Sequence, residues 1–266
     1  MTARAARAPL LTVQGLTKRY YGLTAVDALS FSVPTGSIVG LIGPNGSGKS
    51  TTIDCISGFQ PADDGEWILD GRTLTGLPPS RHAMAGLTRT FQAVRVYDEI
   101  TLIENLTVAA QEHDGQGWWA AFTGSPALLQ AEASAAARGA ELLALVGLSK
   151  YTEAPAAILS YGQRKLLAIA TALMPRPKLI VLDEPVAGVN ATMIRGIEDI
   201  IRRLNSEGTT LLIVEHNMDF IMSLCQHVIV IDQGRKIAEG SPALVRNDPL
   251  VLAAYIGAAA ESAAHG

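Results

Sequence analysis

Gly43-Pro-Asn-Gly-Ser-Gly-Lys-Ser-Thr51 satisfies the spacing G-x-x-x-x-G-K-[ST], with Gly43, Gly48, Lys49 and Ser50 in register. The glycines let the backbone curl until successive N–H groups point at phosphate oxygens. Lys49 adds a positive charge and Ser50 a hydroxyl suited to Mg2+. Upstream, residues 37–42 (Ser-Ile-Val-Gly-Leu-Ile) read as a buried strand. Downstream, residues 49–57 read as a helix whose N-terminus faces the bound anion. A bare strand-to-helix turn would need the glycines but neither the lysine nor the hydroxyl after it. The stretch therefore predicts a nucleoside triphosphate held by Gly43, Pro44, Asn45, Gly46, Ser47, Gly48, Lys49, Ser50 and Thr51.

Around this loop lies a chain of 266 residues, long enough to bury a large core as one large domain or two modest ones. Hydrophobic residues make up 48% and charged residues 17%, a globular rather than a disordered balance. The net charge of -4 gives no reason to expect a nucleic-acid surface, although a local basic patch stays open. No charge-free apolar run reaches the roughly 18 residues a membrane span needs; residues 166–182 come nearest and are broken by Pro175-Arg-Pro-Lys178. Arg4 and Arg7 are followed by no apolar segment, so no secretory signal is expected. Cys55 and Cys225 are far apart, and they read as buried or half-buried thiols in a reducing cytoplasm.

Along the chain, residues 10–13, 25–33 and 66–69 read as antiparallel strands, with Asp70-Gly71 as a hairpin turn. Residues 92–159 read as mostly helical, clearest at 103–111 and 126–146 and broken at Gly115 and Gly117. They have the character of a subdomain inserted in a nucleotide-binding core. Helices at 165–174 and 191–205 then alternate with strands at 179–182, 210–214 and 228–231, which argues for a parallel α/β sheet. A last helix is expected over 249–260.

Two apolar strands end in chemistry. Leu179-Ile-Val-Leu-Asp-Glu-Pro185 ends in adjacent acids at the edge where open α/β sheets place ligand-binding groups. Asp183 suits Mg2+, directly or through water. Glu184, one residue on, suits the polarisation of an attacking water, since phosphoryl transfer demands mainly positioning and electrostatics. Without the loop upstream, the pair would read as a polar strand end or a helix cap. The strand at 210–214 ends in Glu215-His216, which sends His216 to the same edge. A third element, Leu159-Ser-Tyr-Gly-Gln-Arg-Lys165, precedes a helix. Its Ser160 hydroxyl and Gly162 backbone make a second anion-binding device, although Ser-x-Gly alone is an ordinary helix cap.

Together these residues resemble the ATP-binding cassette (ABC) ATPases over nearly the whole chain. Gly43 to Thr51 matches the family's Walker A, residues 179–184 its Walker B with catalytic glutamate, residues 159–163 its signature, and His216 its switch histidine. Gln92, in Arg89-Thr-Phe-Gln92, matches the glutamine that senses Mg2+ and water. Tyr20 matches the aromatic that stacks on adenine, with adjacent Tyr21 as the alternative. The resemblance implies a P-loop nucleotide-binding domain over residues 8–245. Its parts are a RecA-like, mostly parallel sheet core (8–91 and 165–245), an antiparallel β subdomain and an inserted α-helical subdomain (92–164), followed by a C-terminal helix and tail (246–266).

Tyr161 stands where the commonest signature has glycine, and Asn190 where many relatives carry aspartate. Both departures, with residues 89–105 and the tail from Ile237 to Gly257, look like the importer ATPases for branched-chain amino acids, the LivG type. The resemblance implies ATP and Mg2+ as cofactors, with Ser50, Gln92 and Asp183 around the metal and Lys49, Gln92, Glu184 and His216 in catalysis. It also implies a head-to-tail pair in which Ser160 and Gly162 serve the partner's ATP. Two integral membrane permease subunits, a substrate-binding protein acting indirectly and a place on the cytoplasmic face of the plasma membrane complete that picture; nucleic acid has no part in it. Alternatives are a soluble ABC ATPase of translation or DNA repair, and a cassette for urea, other amides or lipid export. Trp118-Trp119 reads either as packing within the helical region or as a contact to a membrane subunit or the membrane surface.

Overall fold

The apolar run ahead of the phosphate loop becomes β3 (Ile38–Ile42), buried at all of its positions. The computed structural model describes residues 8–110 and 126–255, so the Gly115/Gly117 break and the Trp118-Trp119 pair lie outside the described residues. Strand β3 pairs in parallel with β8 (Thr210–Val214) on one side and β9 (His227–Asp232) on the other. Beyond β8 the sheet continues in parallel through β7 (Leu179–Asp183) to β6 (Leu87–Arg89). Beyond β9 it ends in the antiparallel β10 (Arg235–Gly240), giving the order β10-β9-β3-β8-β7-β6.

Both faces of this sheet are covered, so its central strands are continuous apolar runs rather than alternating ones. The period of two survives in which core each side chain enters. Ile38, Ile42, Ile180, Leu182, Leu211 and Ile213 pack with the helices, whereas Val39, Leu41, Leu179, Val181, Leu212 and Val214 pack on the opposite side. On that opposite side lies a four-stranded antiparallel sheet, β2-β1-β4-β5, formed by β1 (Pro9–Tyr20), β2 (Leu23–Pro34), β4 (Asp64–Leu69) and β5 (Arg72–Thr73). Helix α1 (Lys49–Ile56) joins the same core through Ile53, Cys55 and Ile56.

The helical layer contains α3 (Leu102–Ala109), α4 (Pro126–Leu145), α5 (Tyr161–Leu173), α6 (Ala191–Ser206) and α7 (Met218–Leu224). Between β6 and α5 the named elements among the described residues are all helical. The C-terminal part adds α8 (Pro242–Arg246) and helix at 249–255.

Some elements had no sequence signal to announce them. Strand β6 is three residues long, β10 is a polar edge strand (Arg-Lys-Ile-Ala-Glu-Gly), and α2 (Pro79–Ala85) and α7 are single seven-residue helices. The helix expected from 165 begins four residues earlier, at Tyr161, because Ser160 and Gln163 close a capping box there. Both thiols are buried, and burial pushes Cys55 up to about 11 and Cys225 up to about 12. No helix among the described residues is long and apolar enough to cross a membrane.

His82 on α2 carries a consequence for stability. It is 1% exposed, and the Trp67 indole N–H donates to its Nε2 at 3.2 Å. Nε2 must then be the unprotonated nitrogen, leaving Nδ1–H to donate to Pro78 O at 3.1 Å. Burial lowers the His82 pKa below the ordinary 6.5, against a smaller upward pull from Pro78. The unfolded chain therefore binds a proton that the folded chain refuses. The contribution is whole above about pH 6.5 and fades as the pH falls below it. Urea midpoints should drop between pH 7 and 5.5 by more in the wild type than in Trp67→Phe/His82→Leu; equal drops would contradict this.

Candidate active site

The phosphate loop is held open by two close approaches. A Cβ on Gly43 would fall 2.0 Å from Ile231 O, and one on Gly48, whose φ is +101°, would fall 2.4 Å from Ala25 O. Gly48 begins α1 in a left-handed conformation that caps the helix with no side chain. Lys49 lies along the loop, its Nζ donating to Gly43 O at 2.7 Å and Pro44 O at 2.8 Å. Burial lowers the Lys49 pKa, while Glu184 and Asp183 pull it back up. The Ser47 hydroxyl is buried without a hydrogen-bond partner among the described residues. Asn45, Gly46 and Ser50 are exposed at the loop's rim. A glycine cradle that side chains would fill, a helix N-terminus and a cation within reach of two carboxylates fit a polyphosphate.

Strands β7 and β8 deliver their last residues beside this loop. Asp183 is buried and paired with Arg89, Nη2 to Oδ2 at 2.9 Å, and Arg89 also reaches Asp54 at 2.5 Å. Burial raises the Asp183 pKa, against the opposing pull of Arg89. Glu184 turns out of the strand with φ at +47°, a costly region for a residue with a Cβ. Its N–H donates to Val214 O at 2.8 Å. The Gln92 amide donates to Glu184 Oε2 at 2.9 Å, and His216 Nδ1 stands 3.7 Å from Glu184 Oε1. Three residues from three separate segments thus meet at one carboxylate. A donor amide, a carboxylate acceptor and an imidazole around one point can orient a water molecule.

The other expected residues sit apart from this cluster. Ser160 is exposed at the start of α5, where its hydroxyl accepts from Gln163 N–H and Gln163 returns a bond to Ser160 N–H. Gly162 faces Met193 and Val189. Tyr20 ends β1 with Lys18 Nζ 5.2 Å from its ring, and Tyr21 is fully exposed. Asn190 caps α6 by accepting from Met193 N–H at 2.9 Å, so the asparagine keeps the capping acceptor an aspartate would supply and lacks only its charge.

Four residues escaped sequence reasoning. The Arg89 guanidinium lies beside the edge-to-face Phe59–Phe91 ring pair, 5.9 and 5.0 Å from the two centroids. Glu215 is fully buried, and its carboxylate accepts from the N–H groups of Val186, His216 and Asn217. Lys165 is buried and donates to Glu184 O. Arg164 ties the signature turn to Asp98 at 2.6 Å and to Leu159 O and Ala157 O. Two signals were available. Glu215 ends an apolar run as Asp183 does, and Lys165 interrupts an apolar helical stripe that continues through Leu166, Ile169 and Leu173.

Comparison with known proteins places the chain in a family. The ABC transporter family model matches residues 26–187, and the branched-chain amino acid ATP-binding cassette transporter model matches residues 235–261. The chain is 40% identical to the high-affinity branched-chain amino acid transport ATP-binding protein BraF of Pseudomonas aeruginosa, covering 94% of this chain and 99% of that protein. It is 39% identical to the corresponding protein LivG of Salmonella typhimurium over the same shares. Among solved structures it is similar to an ATP-binding cassette of an ABC transporter in its ADP conformation (TM-score 0.81, 33% identity, 94% of this chain and 99% of the other). A nucleotide-free ATP-binding cassette from an ABC transporter gives a TM-score of 0.81 at 32% identity, with 93% and 99% covered.

Proposed function

The chain belongs to the ABC transporter ATP-binding cassettes, and on that premise we propose that it hydrolyses ATP to power the import of branched-chain amino acids through separate membrane subunits. The observation that carries the catalytic part is the convergence of Gln92 and His216 on the Glu184 carboxylate beside the phosphate loop. The cargo rests on relatives whose names specify branched-chain amino acid transport and on the family-specific match at residues 235–261.

In this reading the residues of the phosphate loop bind the triphosphate, Tyr20 stacks on adenine, and Lys49 leaves the loop carbonyls for the β- and γ-phosphates. Ser50, Asp183 and Gln92 would hold Mg2+, which neutralises charge developing on the phosphates when bound. Asp183 fits that task as a buried carboxylate already opposite a cation, Arg89. Glu184 orients the attacking water and takes its proton, with His216 and Gln92 fixing the carboxylate. Ser160 is exposed at the start of α5, apart from this chain's own catalytic cluster, and with Gly162 in the same first turn it would close over a partner's ATP in a head-to-tail pair. We further propose that the described helices between residues 92 and 164, α3 and α4, move together and pass that motion to two membrane subunits, from the cytoplasmic face of the membrane.

Ser160→Glu places a carboxylate where the partner's phosphates would sit. It should abolish ATP-driven pairing, measured by sedimentation, while leaving the isolated chain's binding of a fluorescent ATP analogue intact; selective loss of that binding would contradict the two-chain site. The reading as a whole is tested by purifying the tagged chain from gently solubilised native membranes. Two polytopic subunits and a second cassette are the expected companions. Ribosomes or nucleic acid, with no membrane partner, would overturn it.

A further inference from the structure

We propose that Lys165 is a positioning residue that fixes the main chain of Glu184, and with it the catalytic carboxylate, making the Ser160 helix and the Glu184 strand end one mechanical piece. The proposal rests on the reading of Glu184 as the residue that activates water.

Lys165 stands on the buried side of α5, five residues after the helix's cap, and is 5% exposed. Its Nζ donates to the Glu184 carbonyl at 2.5 Å. That carbonyl belongs to a residue at φ +47°, a conformation that persists only where surrounding contacts impose it. Three such contacts are present. Val214 O holds the Glu184 N–H from the strand side, Lys165 holds the carbonyl from the helix side, and Ala187 N–H reaches the same carbonyl at 3.3 Å. The lysine is the one charged partner of the three, and the one supplied by a helix.

A buried ammonium needs compensation, and the site supplies it. Burial lowers the Lys165 pKa, and the nearby Glu215, Glu184 and Asp183 carboxylates offset part of that pull. Glu215 in turn takes the N–H groups of Val186, just after Glu184, and of His216 and Asn217. One buried cation and one buried carboxylate therefore brace both loop exits that carry the catalytic groups.

The same cluster explains the tyrosine in the signature. The Lys165 ammonium lies 5.5 Å from the Tyr161 ring centroid, and the ring edge is 3.2 Å from where a Cβ on Gly188 would sit. Tyr161, half exposed, lays its ring against the Lys165 ammonium and the loop after Glu184. Glycine at position 161 would remove that ring contact. A helix whose N-terminus is presented to the partner's nucleotide is thereby clamped to the residue that serves this chain's own. Docking of one site reaches the geometry of the other through Lys165 without a change of fold.

The test is a double-mutant cycle in the full chain, purified with the subunits it carries, comparing K165M, E184Q and K165M/E184Q by ATP turnover and by equilibrium binding of a fluorescent ATP analogue. K165M should lower kcat by about tenfold or more while KM and analogue affinity stay within about twofold, the split expected of a residue acting only on the reacting geometry. K165R should turn over faster than K165M. The double variant should be no slower than E184Q alone, because the carboxylate that Lys165 positions is already gone. If methionine is not accommodated and K165M loses its fold, K165Q is expected to show the same split. Turnover near wild type in the lysine variants, or a double variant slower than E184Q by the full K165M factor, would overturn the proposal. Near-wild-type turnover in E184Q itself would instead remove the role given to Glu184.

Discussion

Glu184→Gln is expected to keep ATP binding and lose turnover by about a hundredfold or more, the scale of a general base removed from a positioned water. The substitution is isosteric, and its amide oxygen can still accept from Gln92, whose Nε2 lies 2.9 Å from the present carboxylate. What disappears is the basic oxygen facing His216 and the ability to take a proton. Folding should be little changed, since Glu184 and glutamine bear the same strain at φ +47° and the Lys165 and Val214 bonds are to the main chain. Single-turnover hydrolysis beside analogue binding checks it. A variant that binds and hydrolyses as the wild type does would sink the assignment; one that loses both would mean Glu184 holds the site together rather than acting in it.

Lys49→Ala should cut turnover by about a hundredfold or more and weaken ATP far more than ADP, because a cation clamping transferring phosphates acts most strongly on the terminal one. The structure gives the starting point. The ammonium rests on Gly43 O and Pro44 O, partly desolvated, with Asp183 and Glu184 sustaining its charge. Burial already works against that charge, so removing it should leave the melting temperature close to wild type. Calorimetric titration with ATP and ADP, alongside a melting curve, separates the outcomes. Equal loss of both nucleotides with a falling melting temperature would mark Lys49 as a structural brace of the loop.

Much of the candidate site was readable in the chain because its groups sit at strand ends, where an apolar run stops at a polar residue. Asp183, Glu184 and His216 each follow such a run, and the loop at 43–51 has a spacing that only a phosphate requires. The short and polar elements were not readable: β6 has too few residues for a period, and β10 is an edge strand whose pairing with β9 is settled by main-chain bonds. The bracing charges were hidden for a different reason. Arg89 looks like an ordinary surface charge, and the positions of Lys165 and Glu215 show at most that they are buried, until their partners, 94, 19 and 29 residues away in sequence, are placed beside them.

The central claim, that ATP hydrolysis at this site drives amino-acid import, is tested most directly by reconstituting the tagged chain and the membrane subunits purified with it into proteoliposomes, together with the accompanying binding protein. Uptake of labelled leucine is then followed with and without ATP. The account predicts leucine accumulation that requires ATP and is lost when the chain carries Glu184→Gln. Vigorous ATP hydrolysis with no accumulation of leucine, isoleucine or valine would contradict it.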